Sequence, residues 1–256
     1  SVSFYRGTTL ICTLTSSPYT YAWTNAAVGT YTLTAVAIDN SGQKTTSSAK
    51  TIKVVKPVNF VYQCDGCTTT TWETLSNWTP STAMTEIDTA IIRTGEVKVA
   101  NNVSNIVKVE PNGIFRITDS VTVKEIRLQG GVLKSYTSTP VFILTSTITS
   151  EKASTIIGGS IATSILRING VIKGNGSITK TSVGLLQIHA DASAFKGIWI
   201  VKQGKLRIRN TNALGKCGVE VDSSANLDVE ITASTNSLTV KKYGSISLDA
   251  DLTVQA

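Results

Sequence analysis

Short apolar strands recur in the second half of this chain at an interval of about twenty residues, a constraint that few folds satisfy. Gly184-Leu185-Leu186-Gln187-Ile188, Gly204-Lys205-Leu206-Arg207-Ile208, Ala225-Asn226-Leu227-Asp228-Val229 and Gly244-Ser245-Ile246-Ser247-Leu248 form one series. Ile198-Trp199-Ile200, Val219-Glu220-Val221 and Leu238-Thr239-Val240 form a second series with similar spacing. Gly113-Ile114-Phe115-Arg116-Ile117 and Gly131-Val132-Leu133-Lys134 read as earlier, looser copies of the first series. A repeat this short cannot enclose a core alone, but it suits one coil of a solenoid whose strands stack on those of the next coil. The expected fold is all-β, with a right-handed parallel β-helix over residues 91–256.

Period-two alternation assigns the side chains of each strand to the two faces. Leu206 and Ile208 are expected to point inward, stacked with Leu227 and Val229 and then with Ile246 and Leu248. The intervening residues form outward columns: Gln187, Arg207, Asp228, Ser247, and beside it His189, Arg209, Glu230, Asp249. With coils about 4.8 Å apart, Arg207 meets Asp228 and Arg209 meets Glu230 as opposite-charge pairs. These columns bear on the net charge of +7. Residues 166–216 carry nine basic side chains against one acid, Asp191, whereas residues 217–256 carry six acids against Lys241 and Lys242. The stacking therefore answers part of the basic block without any ligand.

Several function classes drop out at this level. A recognition helix and an aromatic-basic series are both missing, so no nucleic acid is expected as a partner. His189 is the only histidine and falls in a surface column, which leaves no His-centred triad. Gly158-Gly159 and Gly174-Asn175-Gly176 mark turns between coils, without the strand-to-helix setting of a phosphate loop. No apolar run reaches the roughly eighteen residues of a membrane span, so no transmembrane segment is expected. No catalytic residue, metal site or cofactor is assigned. Among Cys12, Cys64, Cys67 and Cys217, the closely spaced Cys64 and Cys67 allow a small disulfide loop, half of a metal site or a thiol-exchange motif. The disulfide is favoured because Thr68-Thr69-Thr70-Thr71 follows where a redox motif would open a helix.

The N-terminal region has a different rhythm. In Thr30-Tyr31-Thr32-Leu33-Thr34-Ala35-Val36-Ala37, residues Tyr31, Leu33, Ala35 and Ala37 share a face, and Asp39-Asn40-Ser41-Gly42 is a turn signal. Strands are expected at 2–7, 9–11, 19–23, 30–37 and 51–54 in an antiparallel sheet with one covered face, and Trp23 reads as core. The stretches Val2-Ser3-Phe4-Tyr5-Arg6-Gly7-Thr8-Thr9-Leu10, Ser17-Pro18-Tyr19-Thr20-Tyr21-Ala22-Trp23-Thr24-Asn25 and 29–42 resemble the second half of a bacterial immunoglobulin-like domain. Such modules recur in secreted enzymes and adhesins of Bacteroidetes-type bacteria. The resemblance implies a partial immunoglobulin-like β-sandwich over 1–55, lacking strands that precede Val2 in the family. The chain is thus expected to be a piece of a larger protein, or to receive those strands from another chain.

Residues 56–90 form a linker and cap. Asn77-Trp78, Pro80 and Asp88-Thr89-Ala90-Ile91-Ile92 resemble the lead-in to secreted β-helical domains. An open solenoid end exposes apolar side chains and strand edges, and Trp72 and Trp78 suit the task of covering it. Further on, Gly176-Ser177-Ile178-Thr179-Lys180, Gly184 to Ile188, Phe195-Lys196-Gly197-Ile198-Trp199-Ile200, Gly204 to Ile208 and Asn212-Ala213-Leu214-Gly215 resemble the passenger-associated repeat of autotransporter-type β-helices. That resemblance spans 174–230 and implies display outside the cell, with no catalytic residues to transfer. This stretch of sequence holds no transmembrane β-barrel of its own, so self-transport is not implied.

These features point to a non-enzymatic extracellular or cell-surface scaffold, adhesin or glycan-binding region. Alternation places Trp199 outward between Ile198 and Ile200, available to stack on a polysaccharide or cell-surface glycan, with Lys196, Lys202 and Gln203 nearby and Glu220 next in its column. The alternative is a β-helical polysaccharide lyase or glycoside hydrolase using Asp222, Asp228, Glu230, Asp249 or Asp251. Against it, Asp228 and Glu230 already have basic partners.

Overall fold

The computed structural model describes residues 1–64, 70–135, 141–159, 161–216, 218–235, 237–241 and 244–254. The chain divides into two compact units, Ser1–Pro57 and a second that begins at Val58.

The first unit is a single antiparallel sheet. Its order is Thr9–Leu14, Val2–Arg6, Gly29–Ile38, Lys44–Thr46, with Lys50–Val54 also paired to Gly29–Ile38. The expected strand over 19–23 does not form, because the unit provides no second sheet for it to join. Trp23 instead packs edge-on against Tyr31, with ring centroids 5.1 Å apart. One sheet cannot bury its own apolar face, and only Ser3 of this unit is buried. Phe4, Ile11, Tyr21, Trp23, Leu33 and Ala35 line an open concavity of about 290 Å³.

The second unit is a parallel β-solenoid. Val103–Ile117 pairs in parallel with Thr89–Val99 before it and with Val121–Gln129 and Val132–Ser135 after it. The pattern continues through Val141–Lys152, Ile165–Gly174, Leu185–Ile188, Trp199–Ile208, Gly218–Val229 and Ser245–Leu248. No α-helix occurs among the described residues. Stacking runs begin earlier than the sequence suggests, since Asn59–Gln63 already pairs in parallel with Thr89–Val99.

Three inward-facing walls build the core. Phe142, Leu166, Leu186, Leu206, Leu227 and Ile246 stack in register on one wall, flanked by Leu144, Ile168, Ile188, Ile208, Val229 and Leu248. Phe60, Ala90, Val107, Ile126, Ile148 and Ile172 form a second wall. Val97, Phe115, Leu133 and Ile156 begin a third. The copies at 113–117 and 131–134 therefore belong to this third wall rather than to the Gly184 series. Their Gly-apolar texture is shared by two walls, and only the pairing partner separates them.

Aromatic side chains close the entry to the stack. Trp78 is buried and meets Trp72, Tyr62 and, through Trp72, Phe115, with ring centroids 5.0, 5.6 and 6.3 Å apart respectively for Trp72–Trp78, Tyr62–Trp78 and Trp72–Phe115. Trp78 Nε1 donates to the Trp72 carbonyl at 3.2 Å. Asp88 fastens the loop into the first coil: its carboxylate accepts from Val58 N at 2.8 Å and from Thr85 N and Oγ1 at 2.7 Å. These bonds, led by the one from Thr85 N, hold its pKa below the ordinary value. Their stabilisation is present above that ordinary value and is lost as pH falls through the lowered one.

Among the described residues no such cover lies over Ser245–Leu248. Val229 is fully buried, yet Leu248, next in the same column, is 57% exposed. Position along the stack should therefore set the cost of truncation. Leu227→Ala is expected to destabilise the protein by about 2–5 kcal/mol, and Leu248→Ala by less than about 1 kcal/mol. Urea denaturation followed by circular dichroism compares the two, and equal losses would contradict this account of the core.

Candidate functional site

Trp199 does not point outward. It is 0% exposed, whereas Ile198 is 39% exposed, so the inward positions of this strand are 199 and 201. Register explains the reversal: Ile178, Trp199, Val219 and Leu238 stack in one column, and Ile156, Lys180, Val201 and Val221 in the next. A strand with apolar residues at three consecutive positions satisfies either phase alone, and its neighbours decide. Trp199 packs against Phe195 with ring centroids 5.5 Å apart. The corner between these two residues is tight, since a Cβ on Gly197 would lie 2.1 Å from the Gly176 carbonyl oxygen. An enclosed indole has no face to offer a sugar, so the stacking site centred on Trp199 is withdrawn.

Its proposed companions separate accordingly. Glu220 lies in the column of Ile200 and Thr239, not that of Trp199. Lys196 and Lys202 are exposed, and Lys202 helps hold the Asp222 carboxyl below its ordinary pKa, after the larger effects of the Ser223 N–H and the Lys241 ammonium. Gln203 takes part through its carbonyl, described below. Cys64 is disulfide-bonded, Cys12 is free, and Cys67 lies outside the described residues.

The charged columns follow the expected register. Arg207 Nε donates to Asp228 at 2.7 Å and also lies 2.7 Å from Glu230; Arg209 pairs with Glu230, and Lys205 Nζ stands 3.4 Å from Asp228. Asp228 is only 4% exposed, so this is a partly enclosed network rather than a set of loose surface pairs. Asp249 continues the column, and oxygens of Asp228, Glu230 and Asp249 lie within 4.8 Å of one another. Asp251 is not among them. Other walls repeat the device. Burial pushes the Glu96 carboxyl up, but hydrogen bonds from Arg116 and Lys134 outweigh it and hold it below its ordinary value. At Glu125 the same balance is struck by Arg127, Thr149 and Lys173.

Beside this network runs a shallow groove of about 580 Å³. Val183, Leu185 and Ala225 supply apolar surface, and Lys205, Arg207, Ser224, Asn226 and Ser245 supply polar groups. No carboxylate among the described residues lines it.

The sequence reading missed Lys180. It occupies an aliphatic position between Ile156 and Val201 and is fully buried. Its Nζ donates to the Ser182 carbonyl, to the Gln203 carbonyl at 2.8 Å and to Ser182 Oγ at 3.4 Å. Ser182 Oγ donates onward to the Gly158 carbonyl at 2.8 Å, so one polar thread links three coils through the core. Burial lowers the Lys180 pKa from 10.5 to about 8. The alternation of Ile178 and Lys180 carried this signal, and pairing that strand with 199–201 would have revealed both inward residues.

Comparison with known proteins adds one relation. Residues 1–35 match the family model of a bacterial Ig domain. No curated protein and no solved structure matches the chain significantly. No helix among the described residues is long and apolar enough to cross a membrane.

Two outcomes follow from the buried residues. Trp199→Ala should cost about 3–5 kcal/mol in chemical denaturation, as removal of a core aromatic does, and unchanged stability would return the side chain to the surface. For Lys180, the unfolded chain binds the proton more tightly, so folding is penalised below about pH 8 and the penalty disappears as pH rises towards 10.5. Relative to Lys180→Met, the wild type should gain up to about 3 kcal/mol between these limits. Parallel pH dependences of the two proteins in urea titrations would show that the lysine is not desolvated.

Proposed function

We propose that this chain is a non-enzymatic scaffold region of a larger secreted or cell-surface protein, in which a β-solenoid carries or spaces binding modules. One observation carries the reading: the acids best placed for chemistry, Asp228 and Glu230, are committed to Arg207, Arg209 and Lys205 inside the inter-coil network. A polysaccharide lyase or glycoside hydrolase needs acid and base groups facing bound substrate in an open groove. The groove beside the network has none. The bacterial Ig match at 1–35 and the passenger-like repeat at 174–230 support an exported multidomain setting of the Bacteroidetes type. The uncovered apolar face of the N-terminal sheet suits completion by immunoglobulin-like strands from another chain.

A second reading, glycan binding by an adhesin, rests on the groove rather than on Trp199. Lys205, Asn226, Ser224 and Ser245 offer hydrogen bonds beside the apolar patch of Val183 and Leu185, an arrangement suited to the mixed surface of a sugar. The whole chain, applied to a glycan array and incubated with soluble polysaccharides, separates the alternatives. A scaffold yields neither retained glycans nor new reducing or unsaturated ends. Retention lost in Lys205→Ala and Asn226→Ala would establish the adhesin, and chain cleavage would overturn both readings.

A further inference from the structure

Two hollows on the flank of the solenoid, of about 430 and 280 Å³, share Thr122 and Lys124 and so run together across the coils of Ser104, Lys124, Thr147 and Val171. Rungs are paired to this stretch on both sides, at Thr89–Val99 and Asp191–Phe195, which places the hollow in the middle of the stack. Register shows how it is made. Ser104 and Asn105 intervene between the paired positions Val103 and Ile106, Lys124 alone intervenes between Val123 and Glu125, and nothing intervenes between Ser146 and Thr147. The corner thus shortens from coil to coil, and its bulges turn out Ser104 and Lys124, both exposed. At the next coil a Cβ on Gly170 would lie 2.3 Å from the Ser146 carbonyl oxygen, and Val171 beside it is 39% exposed.

The lining decides the ligand. Asn102, Thr122 and Thr145 follow one another along the hollow, Thr145 in register with Thr122 and Asn102 Oδ1 accepting from Thr122 N at 2.8 Å. Among the described residues that line it only Glu86 and Lys124 carry charge, one of each sign, and Lys124 Nζ donates to the Glu86 carbonyl at 3.0 Å. A polyanion such as a nucleic acid finds no stripe of cations here. A peptide finds no strand edge, since Val121–Gln129 is already paired in parallel on both sides. The lining suits a chain of uncharged, hydroxyl-bearing units whose apolar faces meet Val171. The steps between these coils give such a chain about 14 Å of contact.

We propose that this flank binds a neutral linear polysaccharide, laid along the solenoid axis over Thr122 and Thr145. The inference goes beyond a spacing role by giving the solenoid a ligand of its own. Its site shares no residue with the groove beside Lys205.

The test is microscale thermophoresis of the labelled whole chain, titrated with glucomannan, xylan, mixed-linkage β-glucan and dextran in about 0.5 M NaCl, which screens the net positive charge. Saturable binding of at least one is expected. Thr145→Arg, which fills the hollow, should weaken it by about tenfold or more, and Thr122→Val, which removes one hydroxyl at constant shape, by about fivefold. Both positions are exposed, so circular dichroism should find the variants folded. The proposal fails if none of these polysaccharides saturates, a result that leaves the scaffold reading standing. It fails equally if both variants bind as the wild type does, or if polygalacturonate binds more tightly than every neutral chain. Binding lost in Lys205→Ala but kept in Thr145→Arg would put the ligand in the other groove and overturn the assignment. So would a dimer in sedimentation that Thr145→Arg dissociates, since the occupant would then be a second copy.

Discussion

The spacing between coils governs this structure. Parallel backbone pairing fixes each rung about 4.8 Å from the next, so a residue cannot choose its neighbours: it meets the residue at the same position one coil away. For aliphatic side chains this is favourable at every step, and it turns weak local preferences into continuous columns such as Leu166, Leu186, Leu206 and Leu227. For charged side chains the same rule is dangerous, because a repeated charge repels itself. The chain answers by alternating sign between coils, as in Arg207 on Asp228 and Arg209 on Glu230.

That rule ties the core to the chemistry of the surface. The basic block at 166–216 looks like an anion site when counted, but much of its charge is spent holding coils in place. Asp228 and Glu230, two of the carboxylates that a hydrolase could use, are engaged in the same network. Lys180 shows the rule's tolerance: one ammonium fits an aliphatic column because carbonyls of adjoining turns converge on it. Such a polar rung favours one register over a slipped alternative, where the ammonium would lose its acceptors.

Much of the solenoid was legible because its period is a property of the backbone, and the Gly184, Gly204, Ala225 and Gly244 strands announce it directly. The charge pairs followed from the period alone. Trp199 was misread for a physical reason: Ile198, Trp199 and Ile200 are all apolar, so period-two alternation cannot say which of them faces in, and only the pairing with Ile178 and Val219 does. The strand over 19–23 failed differently, since alternation describes a residue's willingness to pair but not the presence of a partner. Groove and concavity arise where distant segments meet or fail to meet, which no local pattern encodes.

The aromatic plug built from Tyr62, Trp72 and Trp78 gives the solenoid a direction. In a fold where each rung contacts only its neighbours, folding can spread from any formed rung, and the plug supplies one finished surface to spread from. During synthesis the plug leaves the ribosome before the rungs it shelters, so every new coil finds its template already in place.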